Sequence, residues 1–376
     1  MKIGIVCAPT YGGSGVVATE LGRFLCRRGH EVHVISTAMP FRLEAAQNEN
    51  IFFHEVQAVN YPVLPGDLMG IAIAGITASV AQDYDLDIVH AHYAIPHAIS
   101  AWIARVASPN ARFKVVTTLH GTDITLIGKA PSFFPIAKFA MENSDAVTTV
   151  SNWLKEETYK EFGITKEIHV IPNFVDEKKF MRGRVGCKKS YYAPNGEKIM
   201  MHISNFRAVK RIPDVLRVFD LVQKQIPAKL IMIGDGPERD VATVLARELR
   251  IMQHVHFLGK QEFIENFLSC SDVMIFPSEY ESFGLAALEA MASENAVITS
   301  NGGGLPDLIT HGVDGYMANV GDVEAMAKYA VEILSDDVKR REMGRKARET
   351  ALSKYHPDQI VPIYERLYES VIDQKK

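Results

Sequence analysis

The chain has 376 residues, 47% hydrophobic and 23% charged, the make-up of a globular protein long enough to bury two cores. A formal net charge of −4 argues against a nucleic-acid binder, and the longest apolar run, LMGIAIAGITASVA at 68–81, is too short and glycine-interrupted to span a membrane and reads as a buried helix. The N-terminal MKIGIVCAPTYGG has too short an apolar run for a signal peptide, and Cys7, Cys26, Cys187 and Cys270 form no CxxC pair, so a cytoplasmic protein with reduced thiols is expected.

Short β-branched runs alternate with helical patterns along the whole chain. Strands are expected at 3–7, 31–36, 51–56, 87–90, 114–119, 146–150 and 167–171, then at 198–204, 229–233, 254–258, 272–276 and 296–299. Near-continuous apolar runs of this length suit strands covered on both faces. Between them Val17, Leu21, Phe24 and Leu25 make one helical stripe, and Val215, Val218, Phe219, Val222 and Ile226 make another. Alternating β and α units predict an α/β protein with doubly wound parallel sheets. The strand series pauses over 172–197, a polar, basic, turn-rich stretch, which divides the chain into Rossmann-like domains at 1–171 and 172–356. Pro357 opens a last helix with Ile360, Tyr364, Leu367 and Val371 on one face. Two such domains are expected to face a central cleft, where ligands bind.

The polar residues of interest follow strands. After the first strand, Gly12, Gly13 and Gly15 surround Ser14 at a helix entry, where N–H groups can hold an anion. The spacing is not GxGxxG, and no acid ends the second strand at IST (35–37), so a nicotinamide dehydrogenase, the obvious rival, lacks both of its marks. HAHYAIPHA at 90–98 sets His90 and His92 on one side of a strand end. With His97 they lack the carboxylate or cysteine that would complete a zinc site, so His92 and Tyr93 are expected to line the cleft instead. HGTD at 120–123 places His120, Thr122 and Asp123 at a strand's carboxyl end; the plain alternative is a capped loop with Thr122 or Asp123 as the cap. In the second half, SNFRAVKR at 204–211 presents Arg207, Lys210 and Arg211, which could neutralise a diphosphate or be an ordinary basic loop. IGDGPE at 233–238 is another anion-friendly turn. EYESFGLAALEAMA at 279–292 starts a helix whose first N–H groups, at Phe283, Gly284 and Leu285, suit a phosphate. Glu281 and Glu289 flank that start, and a carboxylate, which only accepts hydrogen bonds, is matched to hydroxyls.

In this order GGSG (12–15), HGTD, IPNFVD (171–176), the cationic loop, IGDGPE, FLG (257–259) and Glu281-x7-Glu289 resemble the retaining glycosyltransferases of the GT-B fold that carry the E-x7-E signature, over nearly the whole length. The resemblance implies a donor domain at 172–356 and an acceptor domain at 1–171, onto which 357–376 packs back. It implies that Gly13, Gly15 and Gly234, with Arg207 and Lys210, hold a donor diphosphate together with the backbone of Phe283, Gly284 and Leu285. Glu289 would take the uridine ribose, Glu281 the donor sugar, and Lys260 and Gln261 would face the base. His120 would meet the sugar near the reacting carbon, so His120, Glu281, Arg207 and Lys210 are the expected catalytic set. The chain departs from the pattern at Asn205, where members carry arginine; Arg207 is the expected replacement.

GGSGVVATELG, PFRL (40–43), HAHYAIPHA, TTLHGTDIT and SNFRAVKR, in this order, further resemble members that move N-acetylglucosamine from UDP to the hydroxyl of L-malate, the opening step of bacillithiol biosynthesis. For such an acceptor Ser14, Arg42, Tyr93 and Thr122 are candidates by chemistry and position. A lipid or sugar acceptor, and a non-catalytic sugar-nucleotide binder, are the alternatives. No DxD-type acidic pair stands in a suitable loop, so no metal and no cofactor is expected. No membrane or nucleic-acid partner is expected either, and a homo-oligomer is compatible with the composition without being specified by it.

Overall fold

A computed structural model describes residues 1–10, 13–40, 42–43, 50–57, 68–110, 112–183 and 189–374. Gly12, Phe41 and Cys187, all part of the sequence reading, lie outside the described residues. The chain forms two compact units, Met1–Asn173 with Pro357–Lys376, and Phe174–His356.

The first unit holds seven strands: β1 Lys2–Val6, β2 Glu31–Ser36, β3 Ile51–Glu55, β4 Ile88–His92, β5 Lys114–Leu119, β6 Ala146–Thr149 and β7 Ile168–Val170. They make one parallel sheet in the order β3-β2-β1-β4-β5-β6-β7. β1, β2, β4 and β5 are apolar, β-branched runs buried almost throughout, as covering on both faces requires. The helix Ser14–Arg27 buries Val17, Leu21 and Leu25 of its stripe. Phe24 stays partly exposed, with the Arg27 guanidinium 5.1 Å above its ring. The run expected to be a buried helix is the helix Met69–Asp83, but only one face is covered: Ile73, Ala74, Thr77, Val80 and Ala81 are buried while Ile71 is 62% exposed. A 3.6-residue period leaves an outer face even on an apolar helix.

The second unit holds β8 Lys198–Ile203, β9 Ala228–Ile233, β10 Val255–Gly259, β11 Val273–Phe276, β12 Ala296–Ser300 and β13 Tyr316–Ala318, parallel in the order β10-β9-β8-β11-β12-β13. β13 is absent from the sequence reading, since three residues carry too little pattern. The helix Ile212–Gln223 turns Val215, Val218, Phe219 and Val222 fully into the core, each burial favouring the fold by roughly 1.5–3 kcal/mol. No described helix is long and apolar enough to cross a membrane. Cys7 and Cys26 are not in disulfides, whereas Cys270 is disulfide-bonded, against the expectation of uniformly reduced cysteines.

The terminal helix Pro357–Asp373 belongs to the first unit and buries Ile360, Tyr364, Leu367, Tyr368 and Val371. Its anchors are polar as well as apolar. Glu365 takes Arg28 at 2.8 Å and His30 at 2.9 Å, and the Tyr368 hydroxyl lies 2.7 Å from His90 Nδ1 on β4. Tyr368→Phe would leave a fully buried imidazole nitrogen without its partner. The expected loss is about 1–3 kcal/mol in urea unfolding. An unchanged midpoint and slope would show that the bond contributes nothing.

Candidate functional site

Both sheets reverse their winding once, at the β1/β4 boundary and at the β8/β11 boundary. Loops leaving the carboxyl ends of such strand pairs diverge and leave a crevice, the usual ligand position in open α/β sheets. Nearly every residue singled out from the sequence follows a strand at or beside one of these two boundaries.

In the first unit, Gly13, Ser14 and Gly15 follow β1, Tyr93 follows β4, and His120 and Thr122 follow β5, three adjacent strands. A Cβ at Gly15 would lie 2.6 Å from the Ala8 carbonyl oxygen and 2.6 Å from Thr10 Oγ1, so the loop's own backbone demands glycine there. Ser14 is 3% exposed, and its Oγ has no hydrogen-bond partner among the described residues. Arg42 reaches the same helix, its Nη1 3.3 Å from Glu20 Oε1. Tyr93 sits at φ 89° and ψ 139°, which a non-glycine residue adopts at a cost of about 1–3 kcal/mol. Its N–H donates to the Thr118 carbonyl at 2.9 Å, which pins the strained turn.

HGTD is tied down by its acid, but not as the expected cap: Gly121 caps the helix Thr122–Thr125, with no side-chain cap hydrogen bond. Asp123 is the staple of the loop: Oδ1 accepts from the N–H groups of His120 (3.2 Å) and Gly121 (2.9 Å), and Oδ2 from that of Ala94 (3.0 Å). Burial pushes its carboxyl up to about 6, against the pull of those donors. His120 is half-buried at the start of this loop, its Nε2 2.9 Å from His92 Nδ1. His92, expected to line the cleft, is fully buried beside His120. His90 is equally buried, between Tyr368 and Thr118 Oγ1, each 2.7 Å away. Burial drives His90 and His120 down to about 3, and His92 and His97 below their ordinary value. All four rings are therefore neutral at pH 7. No group of three or more histidine, cysteine or acidic side chains is placed to hold a metal among the described residues.

In the second unit, Asn205, Arg207 and Lys210 follow β8, and Glu281 and the helix Leu285–Ala292 follow β11. Lys210 Nζ meets Glu281 Oε1 at 2.6 Å across the winding reversal. Ser278 Oγ donates to the same oxygen at 2.8 Å. Phe206 is fully buried and tied on both sides, its N–H to the Asp235 carbonyl and its own carbonyl to the N–H of Glu238. That anchor leaves Asn205 and Arg207 exposed on either side of it, and Arg207 has no ion pair among the described residues. Arg211 is consumed locally, 2.6 Å from Asp214. Gly234, at φ 124°, would carry a Cβ 1.7 Å from the Ser204 carbonyl oxygen, so packing of the β9 turn on the β8 loop alone explains its glycine. Gln261 donates back to the Leu258 carbonyl at 2.7 Å, and Lys260 is exposed. Gly284 caps the helix at φ 94°, Phe283 is buried against Tyr355, and Glu289 is buried at 4% exposure.

Two residues absent from the sequence reading complete this unit. Ser278 orients Glu281, and His202 is held between the Ile275 carbonyl and Ser204 Oγ at 2.8 and 2.7 Å. Burial lowers His202 to about 4, against the opposing effect of its hydrogen bond to the Ile275 carbonyl. Only the i, i+2 spacing of His202 and Ser204 at a strand end signalled that pair.

The chain is 45% identical over 377 residues to the N-acetyl-α-D-glucosaminyl L-malate synthase of Bacillus anthracis, covering 100% of this chain and 98% of that protein. It belongs to the glycosyltransferases. Residues 11–179 match the family model described as Glycosyltransferase Family 4, and 188–350 that of Glycosyl transferases group 1. An uncharacterised glycosyltransferase of Methanocaldococcus jannaschii is 28% identical over 93% of the chain and 92% of its own length. Among solved structures, a sucrose-phosphate synthase from Thermosynechococcus elongatus aligns with a TM-score of 0.83 at 20% identity over both whole chains. An Anabaena protein, HepE, solved with UDP and glucose, aligns at 0.82 and 20% identity, covering 98% of this chain and 100% of that one. The two parallel-sheet units are those of the GT-B fold.

The depressed histidines should make this glycosyltransferase acid-sensitive. A histidine depressed by folding is neutral in both states above about 6.5. Below that, the unfolded chain takes up protons that the fold refuses, so stability falls with pH down to the folded value. His90 and His120 should each withdraw roughly 1 kcal/mol by pH 5.5. Asp123, shifted upward, works in the opposite sense between about 4 and 6, and as one group returns less than the histidines remove. The melting temperature should fall between pH 6.5 and 5.5; a flat profile would contradict neutral burial.

Proposed function

We propose that the chain transfers N-acetylglucosamine from UDP-N-acetylglucosamine to the hydroxyl of L-malate with retention, the first step of bacillithiol biosynthesis. The observation that carries this is end-to-end 45% identity to the malate synthase, with candidate cationic and hydroxyl groups following strands at both winding reversals.

In this reading the second unit takes the donor. Lys210, Arg207 and the N–H groups at the start of Leu285–Ala292 face a leaving group that gains negative charge, and preorganised donors of this kind commonly supply the largest catalytic term. Asn205 is too short to replace a guanidinium, and Arg207 is exposed beside it, so Arg207 fills that role. Glu281 takes sugar hydroxyls and Glu289 the ribose. Glu281 Oε1 already accepts from Lys210 and Ser278, which makes it a poor nucleophile. A donor phosphate oxygen therefore accepts the malate proton on the face where the bond forms. The first unit takes malate, through Arg42, the unpartnered Ser14 hydroxyl, Tyr93 and Thr122. His120, neutral, offers a hydrogen bond to the sugar. No metal takes part.

UDP release from UDP-N-acetylglucosamine should depend on L-malate, not on D-malate, and should survive EDTA. Release indifferent to malate would sink the acceptor, and loss in EDTA would sink the metal-free reading. A response of thermal stability to NAD rather than UDP would favour a dehydrogenase.

Single substitutions separate the two ligand roles. Tyr93→Phe and Arg42→Ala should each raise KM for malate several-fold without weakening UDP binding, and Glu289→Gln should weaken UDP binding by about 1–3 kcal/mol. If malate KM stays put in both variants, the acceptor residues are misassigned, and unchanged UDP affinity removes the ribose role.

A further inference from the structure

We propose that His92 is a positioning residue for His120: it donates from Nδ1 to His120 Nε2, so that His120 carries its proton on Nδ1 and presents an N–H to the donor sugar. The inference rests on the reading of His120 as the group that meets that sugar.

His92 is the last residue of β4, and His120 follows the neighbouring β5. The two rings are stacked, 5.1 Å apart and 19° from parallel, with Nδ1 and Nε2 2.9 Å apart. The inner ring cannot turn away. His92 is 0% exposed, His90 lies against it at 4.5 Å, and His97 Nδ1 donates to the His92 carbonyl oxygen. Tyr93 closes the other side with its ring edge-on to His120 at 5.3 Å.

The acid that ordinarily fixes a histidine tautomer is absent from this contact. Both Asp123 oxygens are occupied by backbone N–H groups of residues 94, 120 and 121. The choice is left to His92. With both rings neutral, one proton lies between them, and two arrangements are available. If His120 Nε2 carried it, the His92 proton would sit on Nε2, which is buried and has no hydrogen-bond partner among the described residues. An orphaned buried N–H costs about 1–3 kcal/mol, and such donors are rarer in native structures than under-used acceptors. If His92 Nδ1 carries the proton, the buried Nε2 is a bare lone pair. His120 must then be protonated at Nδ1, which has no protein partner among the described residues and is not shut off from solvent. The buried ring thus decides that the accessible ring is a donor, as suits the oxygens of a sugar.

The direct test is the tautomer. Nitrogen-15 NMR of histidine-labelled protein, with the His120 signals assigned by their loss in His120→Gln, should show the Nδ1–H form at pH 7. An Nε2–H form would overturn the proposal whatever the kinetics. In the transfer reaction, His92→Phe keeps a ring of similar size but removes the donor. It should lower kcat about tenfold, with KM for the donor within twofold. His92→Asn, whose amide N–H can stand near the place of Nδ1, should recover most of that loss. Wild-type kcat in His92→Phe, or no recovery in His92→Asn, would overturn the proposal. The NMR measurement on the unaltered protein decides even if His92→Phe does not fold. Full turnover in His120→Ala is a different failure, and would remove the role of His120 itself.

Discussion

The constraint on which the rest depends is the single reversal of winding in each sheet. A parallel strand hands its chain to a helix on one face, and neighbouring strands that hand theirs to opposite faces leave a gap between their loops. Here the gaps fall between β1 and β4 and between β8 and β11. The polar residues of each unit collect around its gap because buried parallel strands have nowhere else to expose one. His92 ends β4, His202 lies one residue short of the end of β8, and both are fully buried. Their loops begin from rigid polar anchors rather than from free chain.

Those anchors explain how histidines survive at the heart of the first unit. A buried polar group is tolerated only when it is hydrogen-bonded. His90 is satisfied on both nitrogens, by Tyr368 and Thr118, and Thr118 in turn lies 2.6 Å from Thr148 Oγ1. The bond to Tyr368 comes from the far end of the sequence, so the terminal helix supplies a partner to β4 as well as apolar cover. The exception, His92 Nε2, sits one ring away from His120.

Much of this was legible in the sequence, and for identifiable reasons. Most of the strands are short apolar or β-branched runs bounded by turn residues, so twelve of the thirteen could be read within a few residues; only β13, Tyr316–Ala318, was too short. Glu281 and Lys210 could be found because each follows a strand end, but their 2.6 Å contact spans 71 residues of sequence and belongs to the fold alone. Gly15 and Gly234, expected beside a diphosphate, have a reason to be glycine that only the fold reveals: neighbouring backbone at 2.6 and 1.7 Å forbids a Cβ at either position. His92 was expected to line the cleft and is instead fully buried, because alternation along a strand tells which side a residue faces and not how deep that side is covered.

The Lys210–Glu281 pair shows how the second unit can be stable without a ligand and ready for one. Both side chains are largely covered, at 17% and 18% exposure. Two charges so placed lose much of their hydration, and their attraction offsets that loss without adding much net stability. A cation left alone there would be costly, so the carboxylate keeps Lys210 in place. A diphosphate arriving under the proposed reading presents the same lysine with a second anion of similar geometry, and the sugar's hydroxyls give Glu281 replacement donors. The exchange then trades one set of charge-assisted hydrogen bonds for another and leaves the lysine where it stood. What the ligand adds is its contact with Arg207, which the anchored Phe206 holds out in the solvent with no ion pair among the described residues. Affinity would come chiefly from that uncommitted guanidinium, and orientation from the pair that was already formed.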